Sequence, residues 1–441
     1  MKRRLLSAVV IAMMMLAASK PAAAQQRYIV RTTGGLNSVL NLCLSANCQV
    51  QGSLDGPVGQ TYLVTSTENI LQVLLGGVVN LLEALLGIQS IEPDRALPIP
   101  LPPVNNAPYG LTDTAAVNYF GTVVTHGYAA QPAGQIIRLI DAQRGFGVTG
   151  SGIVAVIDTG VDVNHPVLVP VLLPGYDFTR NQPGASEWLD MPQLQNGTVE
   201  GQQTGVVQQS SAAILDQSSA AILDGQPVAA FGHGTMTSGL VHLAAPTAKI
   251  LPLKAFTSNG TGYLSNIIAA LYYAVQHKAN VVNMSFDLSA PSPALSQAVS
   301  YANRANVILV AAAGNESTSA RVYPAAISGY VMGVASTTDW DARSSFSNYG
   351  SADVWIAAPG EYVISTFPGG SYAAASGTSF SAPLVAGTAA LLLNARSGLN
   401  QSHAASALSH GRLLTPDLNH GRLDAYQAIS AWKSSGSGWS W

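Results

Sequence analysis

The sequence predicts an α/β fold: a doubly wound, mostly parallel sheet covered by helices, with a small α+β domain ahead of it. Three observations predict it. Short, almost unbroken apolar runs such as Ile153-Val154-Ala155-Val156-Ile157, Val281-Val282-Asn283-Met284 and Val307 to Ala312 alternate with helical stretches. Strands apolar on both faces belong to sheets covered on both sides. An N-terminal region has a different rhythm, and the proline-rich segment Leu97 to Pro103 separates it from the rest.

The first 24 residues stand outside the fold. Lys2, Arg3 and Arg4 precede an apolar run from Leu5 to Ala18, and Ala22-Ala23-Ala24 offers small side chains for cleavage. This is the pattern of a secretory signal, and it points to a secreted or periplasmic product. The run is shorter than the ~20 apolar residues of a membrane span. Ile70 to Ile91 is apolar too, but Asn80, Glu83 and the glycines Gly76, Gly77 and Gly87 interrupt it. An amphipathic helix in a small domain fits it better than a membrane anchor.

Residues 25–95 form the small domain. Strand-like Arg27 to Arg31, Gln60 to Val64 and Ile88 to Glu92 alternate with helical stretches, one of them near Ile70 to Leu86. Cys43 and Cys48 are its only cysteines. An oxidising compartment permits a short local disulfide, with two buried thiols as the alternative. Residues 96–110 form an exposed linker, because consecutive prolines lack donors and fix φ.

Residues 111–430 carry the large domain. Helices are predicted over Ala133 to Gln143, Asn266 to Gln276 and Ala294 to Arg304, with strands over Gly152 to Ile157, Ile250 to Ala255, Val281 to Ser285 and Val307 to Ala312. From Gly175 to Ala230 the rhythm breaks, and Gln209 to Asp216 is repeated as Gln217 to Asp224. Two eight-residue copies are too little for a solenoid, so the expectation is an expanded surface insertion, with lining of one side of the cleft as the alternative. Residues 431–441, rich in Ser, Gly and Trp, read as a flexible tail.

Of 441 residues, 10% are charged and 48% apolar, and the net charge is −3. That balance gives no basis for binding nucleic acid or lipid headgroups. Specificity must come from shape and hydrogen bonds.

Three segments carry the chemistry: Asp158 in Ile157-Asp158-Thr159-Gly160, His233 in Gly232-His233-Gly234-Thr235, and Ser379 in Gly377-Thr378-Ser379. Asp158 ends a buried strand, where ligands of open α/β sheets sit. An acid, a base and a hydroxyl joined by two hydrogen bonds activate the hydroxyl for acyl transfer. A paired-carboxylate mechanism is disfavoured, because no second Asp-Thr-Gly occurs.

The segments Val154 to Pro166, Phe231 to Gly239, Ala311 to Asn315 and Ser376 to Pro383 resemble the signature blocks of the subtilisin-like serine proteases, in the order Asp, His, Ser. The resemblance implies a subtilisin-like fold and a secreted serine endopeptidase that cuts extended polypeptides through an acyl-enzyme. It makes Ser379, rather than Ser376 or Ser381, the nucleophile. Asn315 becomes the oxyanion donor beside the backbone N–H of Ser379. Losing one such donor costs about 3 kcal/mol, a figure from a protease of this same fold.

The resemblance also implies that residues 25–95 are a ferredoxin-like propeptide, similar to the I9 inhibitors. It would assist folding, inhibit the protease and be cut off by it, leaving a monomer. Gly260, Thr261 and Gly262 resemble the edge that pairs with substrate, and Ser285, Phe286, Asp287 and Leu288 the opposite wall. Asp287 and Leu288 stand where relatives usually have glycines, so the pocket is reshaped, and an inward Asp287 favours a basic group.

No cofactor is required for this chemistry. Relatives often have an Asp after His-Pro as a calcium ligand, but here Val167 follows His165-Pro166 and offers no side-chain oxygen. Carbonyl-built calcium sites stay open, and no histidine shows zinc spacing. Two other functions compete: a catalytically silent peptide-binding homologue, and a serine esterase. The esterase nucleophile lies in Gly-x-Ser-x-Gly, whereas this chain has Gly-Thr-Ser-Phe-Ser.

Overall fold

The computed structural model describes residues 25–75, 85–98, 109–191 and 230–435. The signal segment, the duplicated octapeptide, most of the linker and the terminal tryptophans lie outside the described residues. Contacts divide the chain into two units. The smaller holds residues up to 96 with 263–273 and 292–298, and the larger holds the remainder.

In the smaller unit a four-stranded antiparallel sheet runs in the order Cys48–Ser53, Thr61–Ser66, Gln26–Thr32, Ile88–Pro93. The sequence predicts three of these strands and misses Cys48–Ser53. That strand is an edge, largely exposed, so it carries little of the apolar signal on which prediction rests. The helices Gly35–Ala46 and Ile70–Leu75 supply Val39, Leu42, Ile70 and Leu74 to a core completed by Tyr28, Val30 and Val64. Cys43 and Cys48 are joined in a disulfide across the helix end.

Two carboxylates at the end of this sheet meet helix starts within the same unit. Asp94 accepts from the Ser265 N–H and hydroxyl, both at 2.8 Å, and pairs with Arg27 at 2.8 Å. Glu92 accepts from Ala294 N–H at 2.8 Å. Acidic groups at helix N-termini satisfy donors that the helix itself cannot.

The larger unit is built on an eight-stranded sheet. In space its strands run Gln182–Pro183, Tyr176–Asp177, Lys249–Lys254, Ile153–Asp158, Val281–Met284, Ile308–Ala312, Met332–Thr337, Ile356–Pro359. All neighbours are parallel except the first pair, which makes an antiparallel edge. The prediction of a mostly parallel, helix-covered sheet therefore holds. The strands Met332–Thr337 and Ile356–Pro359 were not predicted; their Gly, Ala and Ser residues weaken the β signal.

Two buried helices lie against this sheet. His233–Ala244 is buried along its whole length, and Thr378–Ala395 from Thr378 to Leu392. They approach closely at Gly387, where a Cβ would fall 2.4 Å from the Ala244 Cβ, so no larger residue fits without separating them. Thr378–Ala395 is long and apolar enough to cross a membrane, but 83% of it is buried inside the protein, as befits a core helix. The last helix, Ala425–Ser434, is capped by Asp424 and runs past residue 430 into the predicted tail. Its Trp432 is buried and donates to the Leu392 carbonyl at 3.1 Å.

Candidate active site

Asp158 is the last residue of Ile153–Asp158, His233 the first of His233–Ala244, and Ser379 the second of Thr378–Ala395. Each helix is entered through a glycine with positive φ, Gly232 at 88° and Gly377 at 147°. These turns need glycine and place the next side chains at a helix start.

The Asp158 carboxylate is surrounded by donors. Oδ1 lies 2.7 Å from His233 Nδ1 and accepts from Thr159 N–H at 2.7 Å, while Oδ2 accepts from the Thr237 hydroxyl at 3.1 Å. With a carboxylate opposite, His233 Nδ1 carries the proton and Nε2 is the basic nitrogen. Nε2 is buried and has no hydrogen-bond partner among the described residues. The Phe380 ring, adjacent to Ser379, lies 5.3 Å from the imidazole between centroids.

The Ser379 hydroxyl is turned the other way, donating to the Ser285 carbonyl at 3.3 Å. Ser285 returns a bond from its own hydroxyl to the Ser379 carbonyl at 2.9 Å, and Asn283 Nδ2 donates to that hydroxyl at 2.9 Å. The end of Val281–Met284 is thereby tied to the start of the serine helix. The structure closes the Asp158–His233 link and leaves the link from His233 to Ser379 open.

Asn315 follows the strand Ile308–Ala312 by three residues. Its Oδ1 accepts from both the N–H and the hydroxyl of Thr378, each at 2.9 Å. A backbone N–H can only meet the amide oxygen, so the side chain's orientation is fixed, and Nδ2 is its donor end.

The predicted binding segments also come together in this unit. Thr261–Tyr263 is a short strand whose Gly262 bridges Phe256 and which pairs with Ala96–Pro98, the strand containing Leu97. Phe286 is buried against Phe256, with ring centroids 5.3 Å apart, and Leu288 is buried in a bridge to Tyr323. Neither of these two side chains is an open pocket wall. Asp287 is half-buried, and its Oδ2 is buried without a partner among the described residues. Desolvation and then the Glu316 carboxylate push its pKa up to about 7.

At the position where relatives often have a calcium ligand, the side chain is apolar. Val167 is packed in the apolar core, and Asp162 spends its oxygens on Asn164 N–H at 3.1 Å and Gly369 N–H at 2.9 Å. Among the described residues no cluster of three or more His, Cys, Asp or Glu could hold a metal.

Sequence reasoning missed Glu187 and Lys254, both fully buried beside Asp158. Lys254 Nζ donates to the Thr159 and Phe256 carbonyls at 2.6 and 2.7 Å and to Asp190 at 2.7 Å. Its position at the end of a buried strand was the available signal, since a lysine there must find partners.

A family model described as the subtilase family matches residues 150–422. Thermitase of Thermoactinomyces vulgaris is 34% identical over 285 residues, which cover 64% of this chain and 89% of thermitase. A thermophilic serine proteinase of Bacillus sp. strain AK1 is 33% identical over 285 residues, 63% of this chain and 61% of that protein's length. The solved structure of a lanthipeptide protease matches with a TM-score of 0.54 and 23% identity over 68% of this chain and 95% of its own, a likeness of fold.

Proposed function

Because the chain belongs to the subtilase family and is a subtilisin-like serine endopeptidase, we propose that Asp158, His233 and Ser379 are its catalytic residues and that it is exported as a self-processing zymogen. The observation that carries the assignment is the 2.7 Å contact of Asp158 with His233 Nδ1, which leaves a buried, partnerless Nε2 facing the task of a base.

In this mechanism the Ser379 hydroxyl rotates from the Ser285 carbonyl to His233. Its Oγ attacks the scissile carbonyl carbon as its proton passes to Nε2. Asp158 holds the imidazole in the right tautomer and stabilises the imidazolium. The tetrahedral oxyanion is met by Asn315 Nδ2 and the Ser379 N–H, the latter at a helix start where the local potential is positive. His233 then gives its proton to the leaving amine, and water repeats the sequence to release the acid. Substrate lies extended along Gly260, Thr261 and Gly262. Asp287, through its unpartnered oxygen, favours Lys or Arg before the cut.

Residues 25–95 act as the propeptide. The four-stranded antiparallel sheet with two helices supports reading them as ferredoxin-like. The strand Ala96–Pro98 pairs with the edge assigned to substrate, as an extended peptide would. The N-terminal signal supports secretion.

Two measurements test the proposal. A fluorophosphonate is expected to label wild type at Ser379 and to leave Ser379→Ala unlabelled. N-terminal sequencing of the exported products is expected to find the 25–95 region removed from wild type and retained in Ser379→Ala. A normally processed Ser379→Ala would eliminate self-cleavage, and labelling elsewhere would eliminate Ser379 as nucleophile.

A further inference from the structure

Glu187 opens the short turn Glu187–Asp190 and is fully buried. Its side-chain hydrogen bonds go to residues one or two positions from Asp158 or His233. Oε1 accepts from the Thr159 hydroxyl and, at 3.2 Å, from the Gly234 N–H; Oε2 accepts from the Thr235 hydroxyl. The backbone completes the join, with Val161 N–H donating to Ala185 O at 2.8 Å and Glu187 N–H to Val161 O at 3.1 Å. At this seam the chain is so close that a Cβ on Gly234 would come 2.1 Å from the Gly160 carbonyl oxygen.

The Thr159 hydroxyl has one proton to give. It accepts from Gly234 N–H at 2.9 Å, and its proton has two acceptors in reach, Glu187 Oε1 and, at 3.3 Å, Asp158 Oδ1. An ionised Glu187 is an acceptor only and takes that proton. Asp158 Oδ1 is then left to His233 and to the Thr159 N–H.

We propose that Glu187 is a positioning residue for the Asp158–His233 pair: its carboxylate clamps the strand end to the helix start through Thr159, Gly234 and Thr235, and keeps the Thr159 hydroxyl from competing for Asp158 Oδ1. The inference rests on the assignment of Asp158 and His233 to catalysis. It adds a third carboxylate that touches no substrate and acts through two threonines.

The charges around Glu187 fit the role. Lys254 approaches from Lys249–Lys254 and Asp158 from Ile153–Asp158, while Asp190 on its own turn binds both Lys254 and Arg180. Asp162 gives its N–H to the Thr235 hydroxyl at 2.8 Å, which leaves that hydroxyl's proton for Glu187. Burial is the largest influence and the Glu187 pKa is raised overall; the bonds from Thr159 and Thr235 and the Lys254 charge offset it in part, and Asp158 adds a smaller push upward.

Glu187→Gln tests the clamp with little change of shape. The Gly234 N–H holds the amide oxygen at the Oε1 position, so the N–H₂ faces the Thr235 hydroxyl, removes its acceptor and opens that arm of the clamp. The lost negative charge also removes a stabiliser of the imidazolium. With rates expressed per fluorophosphonate-titrated site, kcat is expected to fall about tenfold at unchanged KM, the scale of a slight misplacement of reacting groups. The acid limb of kcat/KM is expected to move to lower pH.

A purely structural Glu187 would reduce only the number of titratable sites; unchanged kcat and an unmoved acid limb in labelled Glu187→Gln overturn the proposal. Wild type that fails to label would instead overturn the catalytic assignment itself. If Glu187→Gln does not accumulate, Thr235→Val and Thr235→Ser carry the test. The valine variant is expected to lose about tenfold in kcat per titrated site and the serine variant, which keeps the donor, to retain wild-type kcat. Equal kcat in the two overturns the clamp.

Discussion

Asp158 ends one strand and Asp287 lies just past its parallel neighbour in the same sheet, and they have opposite surroundings. Asp158 has donors at both oxygens: His233, the Thr159 N–H and Thr237. Asp287 buries Oδ2 with no donor among the described residues, beside the like charge of Glu316. A saturated carboxylate is fixed in place and serves as a constant part of the machinery. An unsaturated one waits for a donor, and on the substrate-wall reading proposed above that donor belongs to the substrate.

Removing the acceptor from the saturated site is expected to have the largest effect. Asp158→Asn keeps the shape but can place its amide toward His233 and impose the wrong tautomer. The loss in kcat is expected to be about 10⁴-fold, the size seen when this exchange is made in an unrelated serine-protease triad. Steady-state kinetics on a peptide substrate would check it. A loss of tenfold or less would mean that Asp158 is replaceable, and the contrast with Asp287 would collapse.

Asp287→Asn tests the unsaturated side twice. Asp287 is ionised above pH about 7, and on the proposed reading it is then expected to favour a basic side chain by about tenfold, the worth of one charge-assisted hydrogen bond. Peptide-library profiling of the variant is expected to lose that factor for Lys and Arg. Stability should respond as well. The folded-state pKa is raised from 3.8 to about 7, so the protonated form is the one the fold prefers. Wild-type stability from this group is complete below 3.8 and is lost as pH rises through about 7. The melting temperature of Asp287→Asn should therefore gain on wild type across that interval; parallel curves would place Asp287 in solvent.

What the sequence revealed and what it hid divide along similar lines. Asp158, His233 and Ser379 stood out because each sits in a glycine-marked turn after or before an apolar element, and such turns are local. The sheet was legible through Ile153 to Ile157 and Val307 to Ala312, whose continuous apolarity needs two covering layers. Glu187 was invisible. Its segment Ala185 to Asp190 has no periodicity, and its partners Thr159 and Thr235 join it only when three remote stretches close together. The edge strand Cys48–Ser53 was hidden for the opposite reason, being too exposed to carry a hydrophobic pattern.

His242 carries the same rule away from the site, with the smallest expected effect. The Tyr128 hydroxyl gives its proton to the Gly239 carbonyl at 2.6 Å, so the 3.0 Å contact with His242 Nδ1 must be a bond donated by the imidazole. His242 is thus neutral with its proton on Nδ1, and its buried Nε2 has no partner among the described residues. Desolvation, followed by His165, lowers its pKa from 6.5 to about 4. Between these values the unfolded chain binds a proton that the folded chain refuses. This contribution to stability is present above pH 6.5 and is lost as pH falls toward about 4. His242→Gln cannot take up that proton, so thermal melts should lose part of their acid slope in this interval and match wild type in slope above it. An unchanged acid slope would mean that burial does not set the titration of His242.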